Sequence, residues 1–199
     1  MTETTRERIL DAALRTFGTV GFSATSLDSL AVQLGIRKQT ILYWFPSKQA
    51  VVDAVIDRAA GELVAVFESE AGTGRTGLAQ VEAIVRRVFR LAVARPELLG
   101  LVREVTRPGS RSTERLRGHT EPLFDRARAY LDREMNAGRI RRSDPSMLLL
   151  SIYATVIGVA AEFETQQALG MDDDLRGAVA RRQELIRFLH AALAPDPTV

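Results

Sequence analysis

Apolar side chains recur every three to four positions along nearly the whole chain. No stretch alternates with the period of two that marks a half-buried strand. The first helix is predicted from Thr4 or Thr5, where Thr4 and Glu7 have the spacing of a capping box. Ile9, Ala13 and Phe17 fall on one of its faces with Leu10 and Leu14 beside them, and Gly18 and Gly21 end it. A second helix is predicted from Thr25 or Ser26, with Thr25 and Asp28 at cap spacing. Leu27, Leu30, Ala31 and Leu34 form its buried stripe and Gly35 stops it. A third runs from about Arg37 to Trp44 and stops at Phe45-Pro46, because proline disfavours helix in the residue before it. Ser47 can cap a fourth, over about Lys48 to Glu70. Further helices are expected at about 78–94, 96–106, 113–137, 145–168 and 174–193. Pro96 and Pro145 stand at helix starts and Gly138 at a helix end. AGTGRTG at 71–77 reads as a flexible break, RPGSRS at 107–112 as a loop and the tail PDPTV as frayed. The expected fold class is all-α, with an N-terminal three-helix domain over 1–47 and a helical bundle over 48–199.

The stretch from Ser26 to Lys48, SLDSLAVQLGIRKQTILYWFPSK, carries the most information. Two helices that cross steeply across a short turn need a small residue where they touch, a glycine where the chain takes positive φ, and apolar residues around both. Ala31 is the small residue and Gly35 the turn. Leu30, Leu34, Ile36, Ile41 and Trp44 or Phe45 supply the shell. That is the spacing of a helix-turn-helix. Its second helix opens with Arg37, Lys38, Gln39 and Thr40, side chains able to bond a base edge or a phosphate. No Asp or Glu occurs from Ser29 to Val52, so the expected face carries no acid opposing Arg37, Lys38 and Lys48.

Composition narrows the field. The chain has 199 residues, 46% hydrophobic and 26% charged, as a soluble globular protein does. Net charge is +2, so nucleic-acid affinity has to come from local placement of charge. Cysteine is absent, which excludes disulfides, thiolate metal sites and a cysteine nucleophile and fits a cytoplasmic location. The N-terminus shows no signal-peptide pattern. The longest uncharged stretch, Pro145 to Ala161, is shorter than the roughly 20 residues of a membrane span and reads as a buried helix. His119 and His190 lack companions at ligand spacing, so no metal is expected. Asp172-Asp173-Asp174 suits the start of a helix through the dipole. GTGRTG lacks the ending of a phosphate loop. Arg139, Arg141 and Arg142 read as a solvated helix end. No nucleophile–base pairing is evident, and neither enzymatic activity nor a cofactor is expected.

Residues 6–58 resemble the DNA-binding domain of TetR-type transcriptional regulators, through ILDAALRTFGTVGFSATSLDSLA and LGIRKQTILYWFPSKQAVV. The rest resembles the family in architecture only. The resemblance implies that Arg37, Lys38, Gln39 and Thr40 enter the major groove, where Arg or Lys suits guanine and Gln suits adenine. It implies that Thr25 and Ser26 contact phosphate through hydroxyl and backbone N–H groups, and that Tyr43 and Lys48 hold flanking phosphates. Trp44 is either a core ring or DNA-facing; Phe45 is assigned to the core. Leu42 departs from the family, which usually has a phosphate-binding Tyr there, so that role either passes to Tyr43 or is not filled. Arg37 and Gln39 replace residues that are usually small.

The resemblance further implies a homodimer on a palindromic double-stranded operator, joined by the last two helices. MLLLSIYATVIGVAAEF and Leu175, Val179, Ile186, Leu189 and Leu193 would supply that surface. It implies a repressor released from DNA by an unknown small-molecule effector, without a membrane partner. Candidate pocket residues are Phe67, Phe89, Leu98, Val102, Phe124, Tyr153 and Ile157. Glu104, His119 and Glu162 are candidates to orient a polar ligand. Two other readings stay open: a helical protein that binds small molecules or acts on them, with the first quarter a mere hairpin, and an architectural DNA binder without an effector.

Overall fold

The computed structural model describes residues 4–107, 110, 112–172 and 174–195. Every regular element among them is a helix: α1 Thr5–Val20, α2 Leu27–Leu34, α3 Lys38–Trp44, α4 Lys48–Ala71, α5 Gly77–Ala94, α6 Pro96–Val105, α7 Thr113–Asn136, α8 Pro145–Ala161, α9 Phe163–Ala168 and α10 Leu175–Leu193. The tail at 196–199, Asp173 and part of the 107–112 loop lie outside the described residues. The chain divides into two compact units, residues 1–62 with 95–120, and residues 63–94 with 121–199.

In the first unit, the Thr4–Glu7 capping box closes the start of α1 as expected. Ile9, Leu10, Ala13, Leu14 and Phe17 are buried along it, and Phe17 meets Phe22 edge to face with centroids 5.1 Å apart. α1 packs on α6 where two glycines meet. A Cβ on Gly100 would stand 2.0 Å from the Gly18 carbonyl oxygen, and one on Gly18 2.4 Å from that of Glu97. The two backbones therefore touch, and only glycine permits it. Glu104 of α6 accepts the Phe22 N–H at 3.2 Å, tying the α1–α2 connection to the same helix. Asp57 on α4 receives the Arg115 guanidinium on both oxygens, at 2.7 and 2.5 Å, with His119 Nε2 2.8 Å away. The Arg115 bonds hold the Asp57 carboxyl below the usual carboxylate range despite partial burial.

In the second unit α5, α8 and α10 pack together, burying Val81, Val85, Phe89, Val156, Ala160, Leu185, Ile186, Leu189 and Leu193. The break expected at 71–77 is tied down rather than loose. Thr73 donates both its N–H and its hydroxyl to the Glu70 carbonyl, the Gln80 amide reaches that same oxygen at 3.0 Å, and Arg75 and Arg87 pair with the buried Glu70 carboxylate. The helix expected over 145–168 is two helices. Glu162 leaves helical geometry at φ −83, ψ 67, and the Gln166 side chain takes the Val159 carbonyl that the N–H of residue 163 would have used. Arg139, expected in a solvated end, forks onto Glu134 at 2.6 and 2.9 Å.

Candidate nucleic-acid interface

Helix α2 begins at Ser26. Its hydroxyl accepts the Ser29 N–H at 3.0 Å, and the Ser29 hydroxyl accepts the Ser26 N–H at 3.0 Å in return. The expected cap pair of Thr25 and Asp28 is therefore displaced by one residue. Thr25 is 3% exposed, and its hydroxyl donates to the Gly21 carbonyl at 2.8 Å. This corrects the expected phosphate contact: the Thr25 hydroxyl is spent on the α1–α2 connection, and Ser26 alone of the two is exposed. Thr25→Val should lower stability by about 1 kcal/mol, seen in thermal melts, because it leaves the Gly21 carbonyl without that donor.

Helix α2 stops in a Schellman turn. The Ile36 N–H bonds the Ala31 carbonyl at 3.0 Å, and Gly35 adopts φ 65, ψ 32. The chain then enters α3 with Arg37 extended at its N-cap position and no side-chain cap bond. Leu30, Ala31, Ile41 and Phe45 are buried between the helices, so Phe45 rather than Trp44 completes the shell. With Ile41 and Phe45 inside, Gln39 and Tyr43, four residues apart, form the outermost ridge of α3. Lys38 and Leu42 flank it on one side, Thr40 and Trp44 on the other. Tyr43 is 80% exposed and Trp44 42%, and their rings meet edge to face at 5.3 Å. Seven residues make a helix about 10 Å long, within the roughly 12 Å width of a major groove. Lys48 opens α4 half-buried, after Ser47 accepts the Ala50 N–H at 3.1 Å.

The face is not free of acid. Lys38 Nζ lies 2.8 Å from Asp28 Oδ2. Asp28 falls just outside the acid-free window in sequence, but the sharp turn at Gly35 brings the first turn of α2 over the first turn of α3.

The family model for bacterial regulatory proteins of the tetR family matches residues 9–55, the span that holds this helix-turn-helix. The HTH-type transcriptional regulator RutR of Escherichia coli is 29% identical over 154 residues, which cover 75% of this chain and 71% of RutR. The helix-turn-helix of this chain is thus of the TetR-family type, and the chain is a DNA-binding transcriptional regulator. Two solved structures share the fold over nearly the full length. A TetR transcriptional regulator from Chloroflexus aurantiacus superposes with a TM-score of 0.74 at 22% identity, covering 96% of this chain and 97% of that one. FadR from Bacillus subtilis, solved with stearoyl-CoA, gives 0.75 at 15% identity and covers 93% and 97%.

Two cations on α1 also border the site, and the sequence does not announce them. The Arg6 guanidinium lies 5.5 Å from the centre of the Phe45 ring, and Arg8 donates to the Leu34 carbonyl at 3.4 Å. Both are exposed, one at the end of α3 and one at the turn before it. The amphipathic spacing of α1 places them outside, but nothing local signals their reach to α3.

The candidate pocket residues do not gather in one unit. Leu98 and Val102 sit on α6 in the first; Phe67, Phe89, Phe124, Tyr153 and Ile157 sit in the second. Phe89 is core, whereas Phe124 and Tyr153 are exposed. Glu104 is paired with Phe22 and Arg107, and His119 with Asp57. Glu162 is exposed at the α8–α9 junction. Among the described residues no cluster of His, Cys, Asp and Glu could hold a metal ion, and no helix is long and apolar enough to cross a membrane.

Proposed function

We propose that this regulator is a homodimeric repressor that reads a palindromic operator through α3 and is released from it by a small-molecule effector. The observation that carries the reading is the Gln39–Tyr43 ridge, polar and exposed on a helix whose other side is anchored by buried Ile41 and Phe45. In this reading Arg37, Lys38, Gln39 and Thr40 meet base edges. Ser26, Tyr43, Trp44 and Lys48 hold phosphates, with the Tyr43 hydroxyl supplying the bond that an aliphatic Leu42 cannot make. Residues 1–47 serve DNA, and residues 48–199 serve the effector and the partner subunit.

One α3 covers too little surface for a tight site, which favours a two-fold dimer. Met147, Leu150 and Tyr153 on α8, with Leu175, Val179 and Phe188 on α10, are exposed apolar side chains suited to a partner. Ile186, Leu189 and Leu193, expected on that surface, are buried within the unit instead. FadR of Bacillus subtilis holds stearoyl-CoA, and an effector of this chain needs only differential affinity for two states. A hundredfold loss of operator affinity corresponds to about 2.8 kcal/mol of coupling.

Gel shift and light scattering test the reading. A specific shift with the DNA upstream of its own gene, and a dimer mass at micromolar concentration, are expected. Lys48→Ala should weaken binding to all sequences and lower the salt slope by about one per subunit. Arg37→Ala and Gln39→Ala should each cost roughly 1–3 kcal/mol on the preferred site and relax base preference. Unchanged operator choice in both variants would refute the assignment of the reading face.

A further inference from the structure

Asp28 is the only carboxylate between Asp11 and Asp53, and the turn at Gly35 sets it against a lysine of the reading helix. Both side chains are exposed, at 68% for Asp28 and 42% for Lys38. An acid in the first turn of a helix ordinarily serves the dipole or the cap. Here the cap of α2 is already closed by Ser26 and Ser29 in both directions, and the Asp28 oxygen is turned to Lys38 Nζ. The carboxylate thus stands where a DNA-facing surface would gain most from a cation.

We propose that Asp28 is a negative determinant of DNA binding. By holding Lys38 in an ion pair, it keeps the reading face weak on DNA in general and reserves Lys38 for the operator. The inference rests on the placement of α3 against DNA given above. A cation already neutralised by a neighbour releases no counterion from a phosphate, so the pair subtracts one contact per subunit from sequence-independent affinity. The pair is exposed, and exposed pairs are weak, so it opens when a guanine edge offers Lys38 two acceptors. A random sequence offers no such replacement and meets the Asp28 charge as repulsion. Discrimination then comes from what the face rejects as well as from what it accepts.

The test uses the full chain, a duplex selected from random DNA by the wild-type protein and a scrambled duplex, both titrated over a salt series. Asp28→Asn should raise affinity for the scrambled duplex about tenfold at low salt and steepen its salt slope by about one per subunit. It should narrow the ratio between the two duplexes and leave the melting temperature unchanged. In a Lys38→Met background the same substitution should change scrambled-duplex affinity by less than about twofold, since the released cation is then missing. An equal gain in both backgrounds would mean that Asp28 acts by its own charge alone and overturns the proposal. Weaker binding of the selected duplex by Asp28→Asn would make Asp28 a base reader and overturn it as well. If the wild type selects a duplex but Asp28→Asn behaves identically, the proposal fails alone. If the wild type binds neither duplex, the placement of α3 against DNA fails with it.

Discussion

Gly100→Ala should cost the protein roughly 3 kcal/mol or more, the upper end of what overpacking does, and lower its melting temperature by roughly 10 °C. The methyl would be built 2.0 Å from the Gly18 carbonyl oxygen, with the Gly18 carbonyl carbon at 2.7 Å and its Cα at 2.9 Å. All three are backbone atoms, so no rotamer change relieves the clash; α1 and α6 have to separate. Separation loosens the packing of Ile9, Leu10, Ala13 and Phe17 on one side and of Leu101 and Val105 on the other, all nearly fully buried. It also draws Glu104 away from the Phe22 N–H, the bond that ties the approach to α2. Operator binding should fall with stability, because α2 and α3 are seated on α1. Gly61→Ala is the control. Gly61 lies inside α4 with nothing within 4 Å of where a Cβ would sit, so alanine there should add about 0.5–1 kcal/mol through helix propensity. Melts followed by circular dichroism decide it. A Gly100→Ala protein melting within a degree or two of wild type would mean that the two backbones do not touch.

The crossing of α1 and α6 is not legible in the sequence. Gly18 reads there as part of a helix end, although α1 runs on to Val20 and is capped at Gly21, and Gly100 stands inside an apolar run with nothing to single it out. Their need for each other is a tertiary fact, separated by more than eighty residues. Local chemistry is legible wherever both partners sit within one turn, as in the Thr4–Glu7 box, the Gly35 turn, the Ser47 cap and the stop before Pro46. It slips by one residue where two hydroxyls compete. Thr25 and Ser26 can each cap, and the Gly21 carbonyl claims Thr25. The acid-free face fails for a related reason: a window along the chain cannot see that a tight turn folds Asp28 onto Lys38. The long apolar helix at 145–168 hides its break because nothing but the Gln166 side chain, reaching back to the Val159 carbonyl, marks it. Periodicity names the core stripes of α1 and α2 well. It cannot divide α10 into the side chains its own unit buries and those it leaves exposed.

Glu134→Ala should be the second most damaging change, at roughly 3 kcal/mol. The Glu134 side chain, 5% exposed, accepts the Gly77 N–H at 2.7 Å and the Arg139 fork at 2.6 and 2.9 Å. Tyr130 donates its hydroxyl to the Gly77 carbonyl at 3.0 Å, and burial pushes that phenol up to about 12, so it stays a donor at any working pH. Removing the carboxylate leaves a buried N–H at the start of α5 without its acceptor, while Arg139, half-exposed, swings out to water. Glu134→Gln separates charge from hydrogen bonding. Its amide oxygen can still take the Gly77 N–H but no longer neutralises Arg139, so about half the loss is expected. The acid limb distinguishes the two further. The Arg139 bonds hold the Glu134 carboxyl below the usual carboxylate range, against burial and with help from the Gly77 N–H. A carboxyl depressed in the folded state stabilises fully above its unfolded value, the 4.5 of a free glutamate, and loses that contribution as pH falls through the lower folded value. The stability of the wild type should therefore drop below about pH 4.5 more steeply than that of Glu134→Gln, and the two curves should converge at the acid end. Asp57 adds a loss of the same sign in both proteins, so the difference between the curves isolates Glu134. Parallel curves across the acid range would mean that the Arg139 fork does not hold the charged carboxylate in solution.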